Sequence, residues 1–284
     1  MKSHCITCGS NGWEDEAYKL FSDHGFVVLQ NVLEPHQYEA VLQDCKQAAE
    51  KIVQPEGVGD RGNRGPGRYS FGVASSTGGM FHLQSFSQHL LDGACSKLLP
   101  LLAHIFEGGV RSGFVCTGGG GDFVMGETSS DQGIHSDIVV GKAHDVWMPP
   151  PMLSVNFTVQ DLTSMNGPIR MIPGTQLWRG IVPEPIPDQW ERSCLCPVPA
   201  GSAIIRDVRV LHSGTRNVTQ TTRYLPSIEF VSADFRSTGR NDCFPPYRIL
   251  PNEFFEKMHP EVKKTCLEIV VAKGKDMPQS YTMS

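Results

Sequence analysis

Hydrophobic spacing divides the chain into a helical first third and a strand-rich remainder. Residues 13–24 are polar and helix-compatible, and Gly25-Phe26-Val27-Val28-Leu29 reads as a short buried strand. From Glu34 to Ile52, Tyr38, Val41, Leu42, Cys45 and Ala49 share one helical face, with Pro35 in the first turn. Residues 90–106 predict another helix, and 251–272 a terminal one. Beyond Val110 the apolar runs shorten, falling at 110–116, 122–126, 153–160, 169–172, 203–206, 208–212 and 223–231. Turn residues separate them: glycines at 118–121, read as a tight turn, then Pro149-Pro150-Pro151, Asn166-Gly167-Pro168, Pro173-Gly174 and Ala200-Gly201. Short strands after N-terminal helices predict a mainly β fold with flanking helices, a β-sandwich or jelly roll. One domain is expected over 1–284, with a helical part about 13–106, a β core about 110–231 and a C-terminal extension about 232–284.

Composition narrows the function classes. A formal charge of -5 over 284 residues sets up no field that draws nucleic acid or acidic membranes. No run of about eighteen apolar residues exists, so no membrane span is expected. Residues 1–18 lack the apolar core of a signal peptide. Nine scattered cysteines do not make a disulfide framework, so a reducing, cytoplasmic setting is the expectation. His4-Cys5-x-x-Cys8 has no second ligand pair nearby and reads as a frayed N-terminus rather than a zinc site. Gly57-x-Gly59-x-x-Gly62 lacks the strand before and the helix after that a dinucleotide loop needs.

His135-Ser136-Asp137 carries the candidate chemistry. On a strand, positions two apart face the same side, so the imidazole and the carboxylate reach one metal together. A second histidine, His212, ends the apolar run after Ala200-Gly201 and precedes Gly214. Two histidines and one carboxylate on one face leave metal positions open, the pattern of non-haem iron(II) oxygenases. Arg223 follows a presumed hairpin loop at 215–222, and its planar fork suits a carboxylate. The loop at 54–79 carries Arg61, Arg64, Arg68, Tyr69 and Phe71 just before this region and reads as a lid.

These segments, in this order, resemble the phytanoyl-CoA dioxygenase family. The likeness rests on residues 25–33, on Gln132-Gly133-Ile134-His135-Ser136-Asp137, on Asp161 with the Asn166-Gly167-Pro168 to Pro173-Gly174-Thr175 segment, and on His212-x-Gly214-x-x-Asn217-x-Thr219-x-x-x-Arg223. It implies a double-stranded β-helix (a jelly roll of cupin-like form) with iron(II) on His135, Asp137 and His212. Arg223 would grip 2-oxoglutarate, and Gln132 would touch it. Arg68 and Tyr69 are the substrate-facing candidates. The implied reaction uses dioxygen and 2-oxoglutarate to hydroxylate, desaturate or cyclise a small organic metabolite, releasing succinate and CO2. The partner is a small, natural-product-like molecule, with no nucleic acid or membrane, and the protein a monomer or homodimer. Gly214 stands where some relatives have a serine that touches 2-oxoglutarate, and Ile169 where some have a threonine. The competing readings are a catalytically silent binding protein of the same fold and a cupin-type metalloenzyme. All three metal ligands and the arginine argue against the first. Cupin sites draw on more histidines, which argues against the second.

Overall fold

The computed structural model describes residues 4–53, 64–71, 80–107, 113–138, 149–237, 250–271 and 273–275. Helix α1 (Trp13–His24) stops at Gly25, whose φ of 80° lets its N–H turn back to the Phe21 carbonyl. Strand β2 (Phe26–Gln30) starts at the next residue, so the apolar run read from the sequence is fixed at its first position. Helix α2 (Pro35–Val53) follows, and Val41, Cys45, Ala48, Ala49 and Ile52 form its buried stripe. The helix over 90–106 extends further back than the periodicity shows: a wider-wound stretch, Phe86–Ala94, leads directly into α3 (Cys95–Phe106).

Seven strands form the larger sheet. They are β1 (Cys5–Thr7), β2, β3 (Arg68–Phe71), β4 (Phe114–Val124), β5 (Met152–Phe157), β7 (Ala203–Asp207) and β9 (Arg223–Ser232), in the order β1-β2-β7-β5-β9-β4-β3. The smaller sheet pairs β6 (Ile169–Met171) with β8 (His212–Gly214), and a bridge from His135 to His212 adds an extended segment to its edge. The fold is a jelly roll with helices outside. Among the described residues no helix is long and apolar enough to cross a membrane.

Alternation along the strands sorts the two faces of the larger sheet. Val27, Leu29, Val155, Phe157, Ile205, Ile228, Phe230 and Phe123 turn outward and pack against α1, α2 and α3 in the main core. Phe26, Val28, Ile204 and Leu225 turn inward and meet Ile169, Met171, Leu195, Val198 and Val210 across the sandwich. The same face also carries polar groups: Ser154 and Asn156 on β5, Arg206 on β7, and Arg223, Ser227 and Glu229 on β9, while Met152 and Val231 on it pack with Val208 and Phe235.

Four expectations need correction. The glycines at 118–121 are not a turn. They lie inside one continuous strand, β4, and pair residue by residue with β9. At Gly119 the pairing needs the missing side chain: a Cβ there would sit 2.6 Å from the Ser227 carbonyl and 3.0 Å from the Phe81 ring. The N-terminus is not frayed from Cys5, because β1 adds in parallel to β2 through Cys5↔Val28 to Thr7↔Gln30. The terminal helix is broken into Asn252–Phe255 and Pro260–Cys266. Pro260 holds His259 in extended geometry (φ -56°, ψ 135°) and cannot donate into a preceding turn. Finally, His135 and Asp137 lie on an extended segment with a single bridge rather than in a regular strand. Of the loop read as a lid, residues 54–63 and 72–79 lie outside the described residues.

Candidate metal centre

Backbone bonds place the three ligands. The His135 N–H donates to the His212 carbonyl at 2.9 Å, the His212 N–H donates back to the His135 carbonyl at 2.8 Å, and the Asp137 N–H donates to the Val208 carbonyl. This antiparallel exchange does the work expected of a full strand, because extended backbone still sets residues 135 and 137 on one side. His212 is aimed from its other flank: the Leu211 N–H donates to the Thr175 hydroxyl, which itself donates to the Ile172 carbonyl. Thr175, which follows the Pro173-Gly174 turn, thus fixes the backbone one residue before a candidate ligand.

Each imidazole lies with Nδ1 against a backbone carbonyl at 2.9 Å, Gly133 for His135 and Val210 for His212. That arrangement puts the proton on Nδ1 and leaves the Nε2 lone pairs for a metal. Nε2 of His212 is 3.5 Å from Asp137 Oδ1, and Nε2 of His135 is 3.9 Å from it. All three ligand atoms lie within 4.8 Å of one another, and among the described residues this is the one group of three so placed. Burial, reinforced by the nearby Arg206 charge, pushes the His212 pKa down to about 3, so the ring is neutral and needs no deprotonation before it binds a metal. Exposure is uneven: the side chain of His212 is 8% exposed, that of Asp137 28% and that of His135 33%, so the cluster opens on one side. An N,N,O set with an open side fits iron(II) with room for exchangeable ligands.

The co-substrate candidates gather beside it. Arg223 is fully buried, its Nε donating to the Gly167 carbonyl at 2.9 Å and its Nη1 paired with Asp122 at 3.0 Å. Asn217 shapes the loop before it: its amide donates to the Val124 and Thr221 carbonyls, and its Oδ1 accepts from the Thr219 N–H and hydroxyl. The Asn217-x-Thr219-x-x-x-Arg223 spacing is therefore a loop scaffold for the arginine. Gln132 bridges to β8 through its N–H to the Gly214 carbonyl and its Oε1 from the Gly214 N–H at 3.2 Å. Arg68 lies in the same row of the sheet as Arg223, with Val124 between them. Its Nη2 donates to the Ser130 carbonyl at 2.7 Å, while its buried Nε has no hydrogen-bond partner among the described residues. Burial, and after it the charge of Arg223, lowers the Arg68 pKa. Two buried guanidiniums set against each other fit an anionic ligand. Tyr69, the other substrate candidate, is not brought to the site. It alternates to the outer face and stacks on Phe123 with centroids 4.8 Å apart.

Residues 21–224 match the phytanoyl-CoA dioxygenase family. The chain belongs to this family. Over 136 residues it is 28% identical to a protein of Aspergillus terreus described as dioxygenase trt7; that alignment takes in 47% of this chain and 44% of the relative, so the chain matches less than half of the relative's length. Solved structures share the fold. A non-haem monooxygenase, ThoJ, superposes with a TM-score of 0.55 at 16% identity, covering 76% of each chain. The epimerase SnoN, in complex with Fe3+, α-ketoglutarate and nogalamycin RO, gives 0.53 at 14% identity over 78% of this chain and 84% of that one. The carbocyclase SnoK from nogalamycin biosynthesis gives 0.53 at 16% identity, covering 77% and 83%.

Two charged residues of this family member escaped the sequence reading. Arg206 is 8% exposed on the inner face, with Nη1 2.7 Å from Asp137 Oδ2 and Nε 3.3 Å from Asn156 Oδ1. It holds Oδ2, leaving Oδ1 toward the two imidazoles. Burial alone raises the Asp137 pKa, but Arg206 and the two imidazoles outweigh it and hold the carboxyl well below its usual range. The signal available was a lone arginine in the apolar run Ala203-Ile204-Ile205-Arg206. We expect Arg206→Leu to weaken iron(II) binding about 10–100-fold with the ligands intact, while Arg206→Lys recovers part of it. Metal titration followed by calorimetry checks this, and unchanged affinity in the leucine variant defeats the positioning role. The second missed residue is Glu229, taken up below.

Proposed function

We propose that the chain is an iron(II)- and 2-oxoglutarate-dependent oxygenase acting on a small organic metabolite. The observation that carries this reading is that the His135, Asp137 and His212 donors and Gln132, at the smaller sheet, lie across the sandwich from Arg68 and Arg223 on the larger one, with Arg68 reaching Gly214 beside Gln132. His135, Asp137 and His212 would hold iron(II), which when bound supplies dioxygen activation coupled to decarboxylation of 2-oxoglutarate. For a hydroxylation the balance is substrate plus 2-oxoglutarate plus O2 giving hydroxylated substrate, succinate and CO2. Desaturation or ring closure removes two hydrogens from the substrate and returns them as water.

The chain's own groups divide the work. Arg206 keeps Asp137 ionised and oriented. Arg223 and Arg68 supply positive charge for the co-substrate carboxylates, and Gln132 supplies an amide beside them. Arg68 also explains the glycine at 214. A Cβ there would lie 2.7 Å from Arg68 Nη1, so the guanidinium occupies the room in which a serine would otherwise contribute. Arg68 therefore belongs with the co-substrate rather than with the substrate. SnoN and SnoK, from nogalamycin biosynthesis, favour a natural-product-like molecule as substrate for this chain too.

The test is succinate formation by the purified protein with iron(II), ascorbate, 2-oxoglutarate and air, where even uncoupled turnover produces it. Succinate should appear only when both iron(II) and 2-oxoglutarate are present. A protein that binds both yet forms none is a silent binding protein, and one active with zinc or manganese alone is a cupin-type enzyme.

A further inference from the structure

Glu229 is outside the His135, Asp137 and His212 group, and among the described residues its one side-chain hydrogen bond is with Ser227. It lies on β9 with its carboxyl toward the sandwich interior: Ser227, two residues earlier on the same face, donates to its Oε1 at 2.6 Å, while Ile228 and Phe230 turn into the outer core. The row across the sheet runs Gly118, Glu229, Ser154, Arg206, Phe26. A carboxylate thus stands between a glycine and a serine, with no facing lysine or arginine on either neighbouring strand.

Among the described residues, three observations give this wall open room. Gly118 is buried, yet a Cβ built on it meets no atom of the described residues within 4 Å. Ser154 is small and is held by Asn156 at 3.5 Å. From Leu225 to Ser232, Glu229 is the one residue of β9 that is not fully buried, and its side chain faces inward. The space is also distinct from the co-substrate end. Glu229 is six residues along β9 from Arg223, about 20 Å at 3.3 Å per residue. Laterally it is two strands from Arg206, about 10 Å at the usual strand spacing, on the side where Arg206 holds Asp137.

We propose that Glu229 is the polar anchor for the substrate, accepting a hydrogen bond from an O–H or N–H group of a small molecule that fills the space over Gly118 and Ser154. This inference rests on the oxygenase reading and adds to it the substrate's chemistry: a hydrogen-bond donor set apart from the carbon presented to the metal. The charged groups acting on Glu229 are Arg206, Asp137 and, from the exposed segment before β3, Arg64. Arg206 is already engaged by Asp137 and Asn156. Burial raises the pKa of Glu229, which is the cost a substrate donor removes.

The probes are four matched molecules: cyclohexanol, cyclohexylamine, methoxycyclohexane and cyclohexanecarboxylate. Each is titrated anaerobically into the 2-oxoglutarate complex with manganese(II) in place of iron, and paramagnetic relaxation of the probe protons reports binding near the metal. The alcohol and the amine should bind about tenfold better than the ether and the carboxylate. Glu229→Leu should bring them to the level of the ether. Glu229→Gln should keep most of the alcohol effect and lose most of the amine effect if a cation is the preferred donor. If a hydroxyl is preferred, both effects stay within a few-fold. Gly118→Leu should exclude all four while the protein remains folded by thermal unfolding. Equal binding by the four probes, no binding by any, or wild-type preference in Glu229→Leu overturns the proposal. Metal and 2-oxoglutarate titrations of the same proteins separate the two readings. If the wild type binds neither, the oxygenase reading falls; if it binds both while the probes ignore Glu229, only this inference falls.

Discussion

Replacing His212 with Ala should reduce iron(II) affinity more than about 100-fold, beyond the 10–100-fold that changes around the ligands produce. His212 is the most buried of the three ligands, its Nε2 lies 3.5 Å from Asp137 Oδ1, and its ring is neutral and pre-oriented by the Val210 carbonyl. Removing it deletes a donor and opens a hole in the site's floor, and a water in that hole does not reproduce an imidazole's affinity. His135→Ala should have a similar effect through the loss of the second nitrogen, although its side chain is a third exposed. The backbone exchange between residues 135 and 212 uses no side-chain atoms, so both variants keep the pairing that joins the segment to β8. Thermal unfolding of the metal-free proteins should therefore change little. Iron stoichiometry by chelator competition decides the matter: if both variants retain one tightly held iron per chain, the metal lies elsewhere.

Why some of this was legible and some not follows from the range of each signal. His135 and Asp137 are two residues apart, and His212 stands two residues before Gly214 at the end of an apolar run, so local spacing and a familiar order of motifs exposed them. Arg206 lies 69 positions after its partner, and nothing local says that an arginine in an apolar strand turns inward to a carboxylate. Glu229 was hidden in the same way within the run at 223–231. Tyr69 was grouped with Arg68 because both are polar-tipped and adjacent. Once 68–71 is known to be a strand, alternation requires them to face opposite sides, and a one-residue choice decides which reaches the site. The glycines at 118–121 show a residue type misleading by its commonest use. Glycine often marks turns, but here it thins a strand so that β9 and the Phe81 ring can approach.

The fold class was legible because alternation of apolar runs with turn residues is a property of the whole chain, and single errors within it do not accumulate. Its details depended on tertiary contacts. The extended segment at 131–137 has no strand-like run of its own. It is held by what it meets: Asp131 takes Arg170 Nη2 at 3.0 Å and the Arg216 N–H at 2.9 Å, and Gln132 takes Gly214. These bonds draw on partners from both β6 and β8, which lie side by side.

Arg223→Ala should raise the 2-oxoglutarate dissociation constant roughly ten- to a hundred-fold, the loss of about 1.5–3 kcal/mol carried by a charge-assisted bond. The guanidinium is 1% exposed, and its position is set before any ligand arrives by the Gly167 carbonyl at Nε and by Asp122 at Nη1. Such an arginine loses little freedom on gripping a carboxylate, which is why its contribution falls near the top of the range. Asp122 shares that guanidinium, so it offsets part of the charge the co-substrate sees. Asp122→Asn should accordingly tighten 2-oxoglutarate binding or leave it unchanged, the opposite direction from Arg223→Ala. Because the alanine change also strips partners from Asp122 and from the Gly167 carbonyl, Arg223→Lys is the needed control. It keeps the charge, loses the fork and should restore only part of the affinity. Calorimetric titration of the iron-loaded proteins, with unfolding curves alongside, separates lost binding from lost structure. An unchanged constant in a folded Arg223→Ala protein would move the clamp to Arg68. Arg216 is not the alternative, since its side chain is 62% exposed and lies against Asp131.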